Sequence, residues 1–246
     1  MMHGMNLKKI LVSKYFLLVL IFLIGFFLRF YNLSGNPPSL NWDEVSNGYN
    51  AYSILKTGKD EYGTLLPLSI RSFDDYKPPL YAYLAVPSIA AFGLNEFAVR
   101  LPSALLGSLS VLVVYFLVVI VLKKSKNNGV FEISRYSTVI ALVSSLLFAV
   151  SPWSLQFSRA AYEGNVGLFF LLVGVLCLYI FLQRPKYLLI AAIVFVLSMY
   201  SYHSFRLVVP VFLLVFSALY YKDLLKHKYI SMISIGVFIL LVIPIY

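Results

Sequence analysis

The sequence predicts an all-α, polytopic membrane protein with about seven transmembrane helices and two interfacial helices in a large first outer loop. Apolar residues make up 61% of the 246 residues and charged residues only 12%, whereas a soluble domain is roughly 45–50% apolar and about 25% charged. The apolar residues form runs close to the ~20 residues that a membrane-spanning helix needs. Lysine and arginine residues concentrate in every second segment that joins these runs. Such a bias sets the orientation of a membrane protein.

Seven apolar runs are candidate spans. They lie near residues 15–31, 103–122, 136–152, 165–183, 187–202, 207–221 and 229–246, with a polar linker at 123–135. The first run follows several lysines but lacks a small-residue cleavage site, which favours a retained anchor over a signal peptide. The single cysteine, Cys177, lies in an apolar run, so the sequence offers neither a disulfide framework nor a thiolate metal site.

The distribution of charge predicts a cytoplasmic N-terminus. With this orientation the inner segments hold twelve Lys and Arg residues and two acids, while the outer segments hold eight of each. The whole formal excess of +10 therefore lies on the cytoplasmic side. This charge is a topology signal and does not indicate a nucleic-acid partner.

Residues 78–93 are apolar but too short to be a span. A helix of about 15 residues reaches ~22 Å, which is less than the ~30 Å hydrocarbon core of a bilayer. We therefore expect an interfacial helix that starts at Pro78 and Pro79 and stops at Gly93. Residues 32–102 then form one large external loop.

The first outer loop contains two adjacent acids, Asp43 and Glu44, in the stretch NWDEVSNGYNAYSILKTG. Asn41 and Glu44 have the spacing of a capping box, and Gly58 is a stop signal. We expect an amphipathic helix whose aromatic stripe lies in the membrane interface. Acids in a first turn stabilise the helix dipole, and a carboxylate can also act as a catalytic base; this stretch alone fits both roles equally.

Three further outer segments carry charged groups beside lipid. SYHSFR contains His203 and Arg206, and an arginine at a span end either snorkels to water or marks a functional site. Arg159 and Glu163 are four residues apart, so a continuous helix would put both side chains on one face. There the two residues would form a simple ion pair or belong to a site. Lys77 directly precedes the second interfacial helix. Acids and cations at one membrane surface fit a substrate with a phosphate head group and a lipid tail.

Five blocks of this sequence resemble bacterial members of the protein O-mannosyltransferase and lipid A aminoarabinose transferase superfamily, whose fold is the type C glycosyltransferase fold. The blocks are LNWDEVSNGYNAYSILKTG, YKPPLYAYL, FGLNEFAVRLPSALLGSLSVLVVYFL, SRAAYEGNVGLFFLLVG and YSYHSFRLVVPVFLL. Their order and spacing carry the resemblance, from about residue 15 to the end. Because such proteins usually continue with more spans, the resemblance implies that residues 1–246 are an N-terminal transmembrane module, truncated at its C-terminus.

The resemblance also implies a function. Such enzymes of the plasma (inner) membrane transfer a sugar, with inversion, from a polyprenyl-phosphate carrier to a protein, lipid or glycan acceptor on the extracytoplasmic side. A polyprenyl phosphate leaves as a stable anion, so one carboxylate base suffices and no general acid is required. No cofactor is indicated, and a divalent metal ion is compatible with the sequence but not indicated by it.

The site residues implied by the resemblance fall into two groups. The catalytic acids are Asp43, as base or acceptor-binding carboxylate, its partner Glu44, and Glu163 in the next outer segment. The contacts to the carrier phosphate or the sugar are Lys77, Arg159, His203 and Arg206.

Two other functions stay open, namely a component of a membrane transporter or lipid flippase, and a non-catalytic remnant of the glycosyltransferase fold. Transporters tend to place polar groups and broken helices at mid-membrane, often in repeated halves. Here the charged residues lie at the outer ends of the predicted spans, and no internal repeat is visible. Glycosyl transfer is therefore the favoured prediction.

Overall fold

A computed structural model describes residues 7–125 and 136–245, which fold mostly into α-helices. Most of the predicted polar linker, residues 126–135, lies outside the described residues. The helices are α1 Leu7–Phe30, α2 Trp42–Thr57, α3 Leu80–Phe92, α4 Glu96–Ser125, α5 Ser137–Val150, α6 Pro152–Arg159, α7 Glu163–Phe181, α8 Tyr187–Met199, α9 Phe205–Leu219, α10 Tyr221–Lys226 and α11 Lys228–Val242. A 3-10 turn follows at Ile243–Ile245, and a short hairpin pairs β1 Ile70–Ser72 with β2 Asp75–Lys77.

The helices are those of a membrane protein. Within the described ranges, α4 and α7 are long and apolar enough to cross a membrane, and the bent pair α5–α6 is a third candidate span. Four shorter apolar helices, α3, α8, α9 and α11, have 13 to 15 residues each. The all-α fold is confirmed, whereas the count of seven spans and the interfacial position of α2 and α3 stay predictions.

The predicted span at residues 136–152 ends in a sharp bend. The axes of α5 and α6 differ by 53° at the break before Pro152, where proline supplies no N–H but fits the first turn of a new helix. The fully buried Arg29 of α1 donates to Ala149 O at 3.0 Å and to Ser154 Oγ at 2.7 Å. A buried arginine therefore supplies hydrogen bonds to groups on both sides of the break.

Helix α4 lies at the centre of the bundle and contacts α1, α3, α5, α6 and α7, while α8 packs against α7, α9 and α11. Small residues allow close approach of these helices. Gly174 of α7 faces the ring of Phe195 on α8, and a Cβ at this glycine would lie 2.8 Å from a ring carbon. The packing of α7 on α8 therefore requires glycine at this position.

The first outer loop folds around α2 and α3. The predicted capping box is present, because the Asn41 side chain accepts from Glu44 N and the Glu44 side chain accepts from Asn41 N. Gly58 ends α2 with a positive φ of 71°, as its position after the helix predicts. The aromatic stripe of Trp42, Tyr49 and Tyr52 is exposed, and the opposite face of α2 packs into the core. The prediction of an amphipathic helix is confirmed.

The prediction that Arg159 and Glu163 share one helical face is wrong. Helix α6 ends at Arg159, and Ala160 has an extended backbone with φ −111° and ψ 162°. A new helix, α7, begins at Glu163. Because the chain changes direction between them, the two side chains do not form the ion pair that a continuous helix would favour, and each has other partners.

Candidate active site

Helix α2 carries the two adjacent acids, Asp43 and Glu44, and one turn later Asn47, whose side chain reaches Glu163. The capping box fixes the first turn of the helix and therefore the direction of both acids. The two acids have different surroundings: half of the Asp43 side chain is exposed, whereas Glu44 is buried.

Asp43 forms a salt bridge with Lys77, the last residue of strand β2. The Lys77 ammonium group contacts Asp43 Oδ1, and only 12% of the lysine side chain is exposed. Two residues that are 34 positions apart in the sequence are therefore neighbours. The pair is partly open to solvent on the carboxylate side, which is the side that a substrate can reach.

Glu44 lies in a fully bonded buried network. Its Oε1 accepts from Arg100 Nε at 2.8 Å and from the backbone N–H of Ala161 at 2.9 Å. Its Oε2 accepts from Asn41 N at 2.9 Å. Arg100, which is fully buried, also donates to backbone carbonyls of the preceding loop, including Pro37 O at 2.8 Å. The Glu44 carboxylate thus joins α2, α4 and the segment before α7.

Glu163 lies close to the Asp43–Lys77 pair. It is the first residue of α7, is 7% exposed, and accepts a hydrogen bond of 2.8 Å from Asn47 Nδ2. The charges of Lys77 and Asp43 both act on its carboxylate. The helix N-terminus and the amide donor favour the charged form of a carboxylate, and its burial opposes it.

Tyr81 lies beneath these acids. It is fully buried on α3 and donates to Val99 O at 2.9 Å. Burial, together with the negative charges of Glu163 and Glu44, raises the pKa of Tyr81 well above its ordinary value of 10. The phenol therefore stays protonated and donates its hydrogen to Val99 O, which joins α3 to α4.

His203 contacts the strand that carries Lys77. Its Nε2 lies 2.9 Å from Tyr76 O, and the next residue of the strand is Lys77. The turn before α9 thus contacts the first outer loop.

Arg159 and Arg206, the other two predicted cations, do not contact Asp43 or Glu163 through a hydrogen bond or salt bridge. Arg159 donates to Leu28 O at 2.6 Å and to Tyr31 O at 2.8 Å, at the end of α1. The Nε of Arg206 is buried and has no hydrogen-bond partner, and the charge of Arg206 acts on the Tyr200 hydroxyl. The resemblance assigns Lys77, Arg159 and Arg206 together to the phosphate or the sugar, but their contacts in the structure do not bring these three cations to one point.

Two cavities lie outside this cluster. An apolar cavity of about 170 Å³ lies among α7 to α11, and a groove of about 390 Å³ lies among α5, α6, α7 and the start of α9. The groove is lined by Trp153, Phe157, Asn165 and Tyr202, among others, and its wall begins at Gly164 beside Glu163. Neither cavity is lined by Asp43 or Lys77.

A comparison with known families identifies the chain. A family model described as dolichyl-phosphate-mannose-protein mannosyltransferase matches residues 76–246. The chain belongs to this family. No curated protein and no solved structure matches it. The sequence is thus that of a membrane glycosyltransferase of the mannosyltransferase type.

The family match covers only part of the candidate site. Lys77, Arg159, Glu163, His203 and Arg206 all fall within residues 76–246, whereas the two adjacent acids of the first loop precede them. In the residues that the structure describes, no three His, Cys, Asp or Glu side chains form a group that could hold a metal ion.

Sequence reasoning missed the roles of two buried arginines and one amide: Arg100 and Asn47 bind acids of the candidate site, whereas Arg29 joins α1 to α5 and α6. Arg29 and Arg100 are fully buried, and Asn47 is 3% exposed. A signal for the two arginines was present, since a cation in or beside an apolar run is expensive unless it has partners. Asn47 gave no such signal, because its partner Glu163 is 116 positions away.

Proposed function

We propose that the protein transfers a sugar from a polyprenyl-phosphate carrier to an acceptor hydroxyl on the extracytoplasmic side of the plasma membrane, with inversion. The family description supports a mannosyl donor on a lipid phosphate and a protein acceptor. The observation that carries the proposal is the salt bridge between Asp43 and Lys77, a half-exposed base beside a cation that suits a phosphate.

Asp43 is the proposed general base. Its carboxylate takes the proton of the acceptor hydroxyl while the hydroxyl oxygen bonds to the anomeric carbon of the sugar. The bond from that carbon to the phosphate oxygen breaks on the opposite face, and the polyprenyl phosphate leaves with the electron pair. A positioned base of this kind contributes about 10²–10⁴-fold to the rate.

Lys77 is the proposed phosphate contact, and its pairing with Asp43 gives it a second effect. Without donor, the two charges neutralise each other. The donor phosphodiester, with one negative charge and two free oxygens, competes with Asp43 for the ammonium group, and its charge grows as the polyprenyl phosphate leaves. Donor binding therefore releases Asp43 for the acceptor proton. Lys77 then stabilises the negative charge that develops on the leaving phosphate.

The other acids have separate proposed roles. Glu163 lies near Asp43 and receives a hydrogen bond from Asn47, which suits a group that binds a sugar or acceptor hydroxyl. Glu44 is assigned to holding α2 in place, because Arg100 and Ala161 N occupy its carboxylate.

The two remaining cations also have separate proposed roles, one structural and one in binding. Arg159 is assigned to the end of α1 and the loop that follows it, since its donors are used by backbone carbonyls. Arg206 stays a candidate phosphate contact, because its buried Nε has no partner.

The transfer reaction tests this proposal. Purified protein in lipid nanodiscs is given radiolabelled polyprenyl-phosphate mannose and a Ser/Thr-containing peptide. We expect label in the peptide, with the anomeric configuration opposite to that of the donor. A transporter or flippase would leave the label attached to the lipid and extractable into organic solvent. Complete retention of intact donor by the wild-type protein would overturn the proposed reaction.

A further inference from the structure

The turn before α9 holds the segment that carries Lys77 from both sides. His203 Nε2 lies 2.9 Å from Tyr76 O, one residue before Lys77. The backbone N–H of Leu80 donates to Tyr200 O at 3.2 Å, three residues after Lys77. A carbonyl oxygen cannot donate, so the hydrogen of the first contact belongs to Nε2.

The segment between these two bonds has few hydrogen bonds of its own. Pro78 and Pro79 have no backbone N–H, so they cannot donate to a neighbouring strand. The hairpin itself has only three residue pairs, with Lys77 opposite Ile70 at its open end. A two-stranded hairpin of this size is marginally stable alone. The direction of the lysine side chain therefore depends on contacts from outside the hairpin.

We propose that His203 is a positioning residue for Lys77. Its Nε2–H fixes the backbone of strand β2 immediately before the lysine, and so fixes where the ammonium group lies relative to Asp43. The inference rests on the proposed function in one respect, namely that Lys77 contacts the donor phosphate. The role differs from a direct contact to phosphate or sugar, because the same nitrogen is already used by Tyr76 O.

The His203 side chain offers two separate features, a hydrogen-bond donor at Nε2 and the volume of the ring. A glutamine side chain can place its Nε2 amide donor near the same point, whereas phenylalanine fills similar space without a donor. His203→Gln and His203→Phe therefore separate the hydrogen bond from the volume of the ring.

The first measurement is hydrogen exchange of the backbone amides, which does not depend on activity. His203→Phe should accelerate exchange in peptides that cover residues 70–77 and leave those of α7 unchanged. His203→Gln should exchange like the wild type, as should His227→Gln, a control at the junction of α10 and α11. Unchanged exchange at 70–77 in His203→Phe, or equal acceleration in both His203 variants, would overturn the positioning role.

The second measurement is kinetic. For His203→Phe we expect the KM for polyprenyl-phosphate mannose to rise about tenfold, the effect of one lost hydrogen bond, with kcat within about threefold of wild type. His203→Gln should restore the KM. A fall in kcat alone in His203→Phe, or failure of glutamine to rescue, would contradict the inference. Absence of transfer by the wild type would count against the proposed function, while the exchange measurement would still decide the role of His203.

Discussion

Asn47 of the first outer loop donates a hydrogen bond of 2.8 Å to Glu163, the first residue of α7. Both side chains are buried. The bond joins two segments that both carry acids of the candidate site. Loss of a donor to a buried carboxylate lowers the free energy of unfolding by about 1–3 kcal/mol. This contact therefore contributes to the stability of the loop as well as to the geometry of the site.

We expect Asn47→Asp to lower the thermal stability, because it removes the donor and places two carboxylates in contact. The double variant Asn47→Asp with Glu163→Gln should recover most of the loss, since the glutamine amide can then donate in the opposite direction. Thermal unfolding of the wild type, the two single variants Asn47→Asp and Glu163→Gln, and the double variant gives the coupling free energy. We expect it to be about 1–3 kcal/mol. Additive effects of the two changes would show that the side chains do not interact.

The adjacent acids Asp43 and Glu44 should respond differently to alanine substitution. Glu44→Ala leaves Arg100 buried without its acid, and removal of one partner of a buried ion pair costs about 3–5 kcal/mol. Asp43→Ala removes a half-exposed group, so its effect on unfolding should be below about 1 kcal/mol. The unfolding midpoint in detergent and the yield of folded protein measure this difference. Equal losses in the two variants would contradict the assignment of Glu44 to structure.

Gly174→Ala should destabilise the bundle by about 1–3 kcal/mol, because the new methyl group overlaps the ring of Phe195. Gly236→Ala is the matched control, since a Cβ there has no neighbour within 4 Å. Phe195→Leu should lower the free energy of unfolding less in the Gly174→Ala background than in the wild type. Thermal unfolding of this set is the measurement, and equal stability of the two alanine variants would contradict the predicted overlap.

Membrane orientation is testable with single cysteines in a Cys177→Ala background. Both Asp74 and Lys222 are exposed, and the predicted topology puts them on opposite sides of the membrane. A cysteine at Asp74 should react with an impermeant maleimide in intact cells, and one at Lys222 should react only after permeabilisation. Labelling of the Lys222 variant from outside would contradict the seven-span topology.

The sequence predicted the helical parts of the first loop well, because their signals are local. Asn41 with Glu44, and Gly58 after an amphipathic stretch, mark both ends of α2, and the structure has both features. The hairpin at residues 70–77 was not predicted, since its strands have only three residues each and the loop before it has no regular period. The break between α5 and α6 was also missed, although Pro152 is a visible helix-start signal.

The site was only partly predictable for a different reason. Acids and cations of the predicted outer segments suggested Asp43, Lys77 and Glu163; the first two form a salt bridge, and Asn47 of the helix that carries Asp43 bonds Glu163. Charge at a span end does not tell whether a side chain reaches a site or binds the backbone. Arg159 is the example, because its hydrogen bonds go to carbonyls at the end of α1. Those partners depend on long-range packing that a sequence pattern does not contain.

The central claim is that donor phosphate and Asp43 compete for Lys77. The most direct test measures both the affinity for sugar-free polyprenyl phosphate and the rate of transfer in Asp43→Asn, with Asp74→Asn as a control for the loss of a nearby exposed acid. The asparagine removes the competing charge, so the affinity for polyprenyl phosphate should rise about fivefold to tenfold. The rate of transfer should fall by about 10²–10⁴-fold, because the base is lost. Affinity that is unchanged or weaker in Asp43→Asn, or transfer at the wild-type rate, would contradict the account.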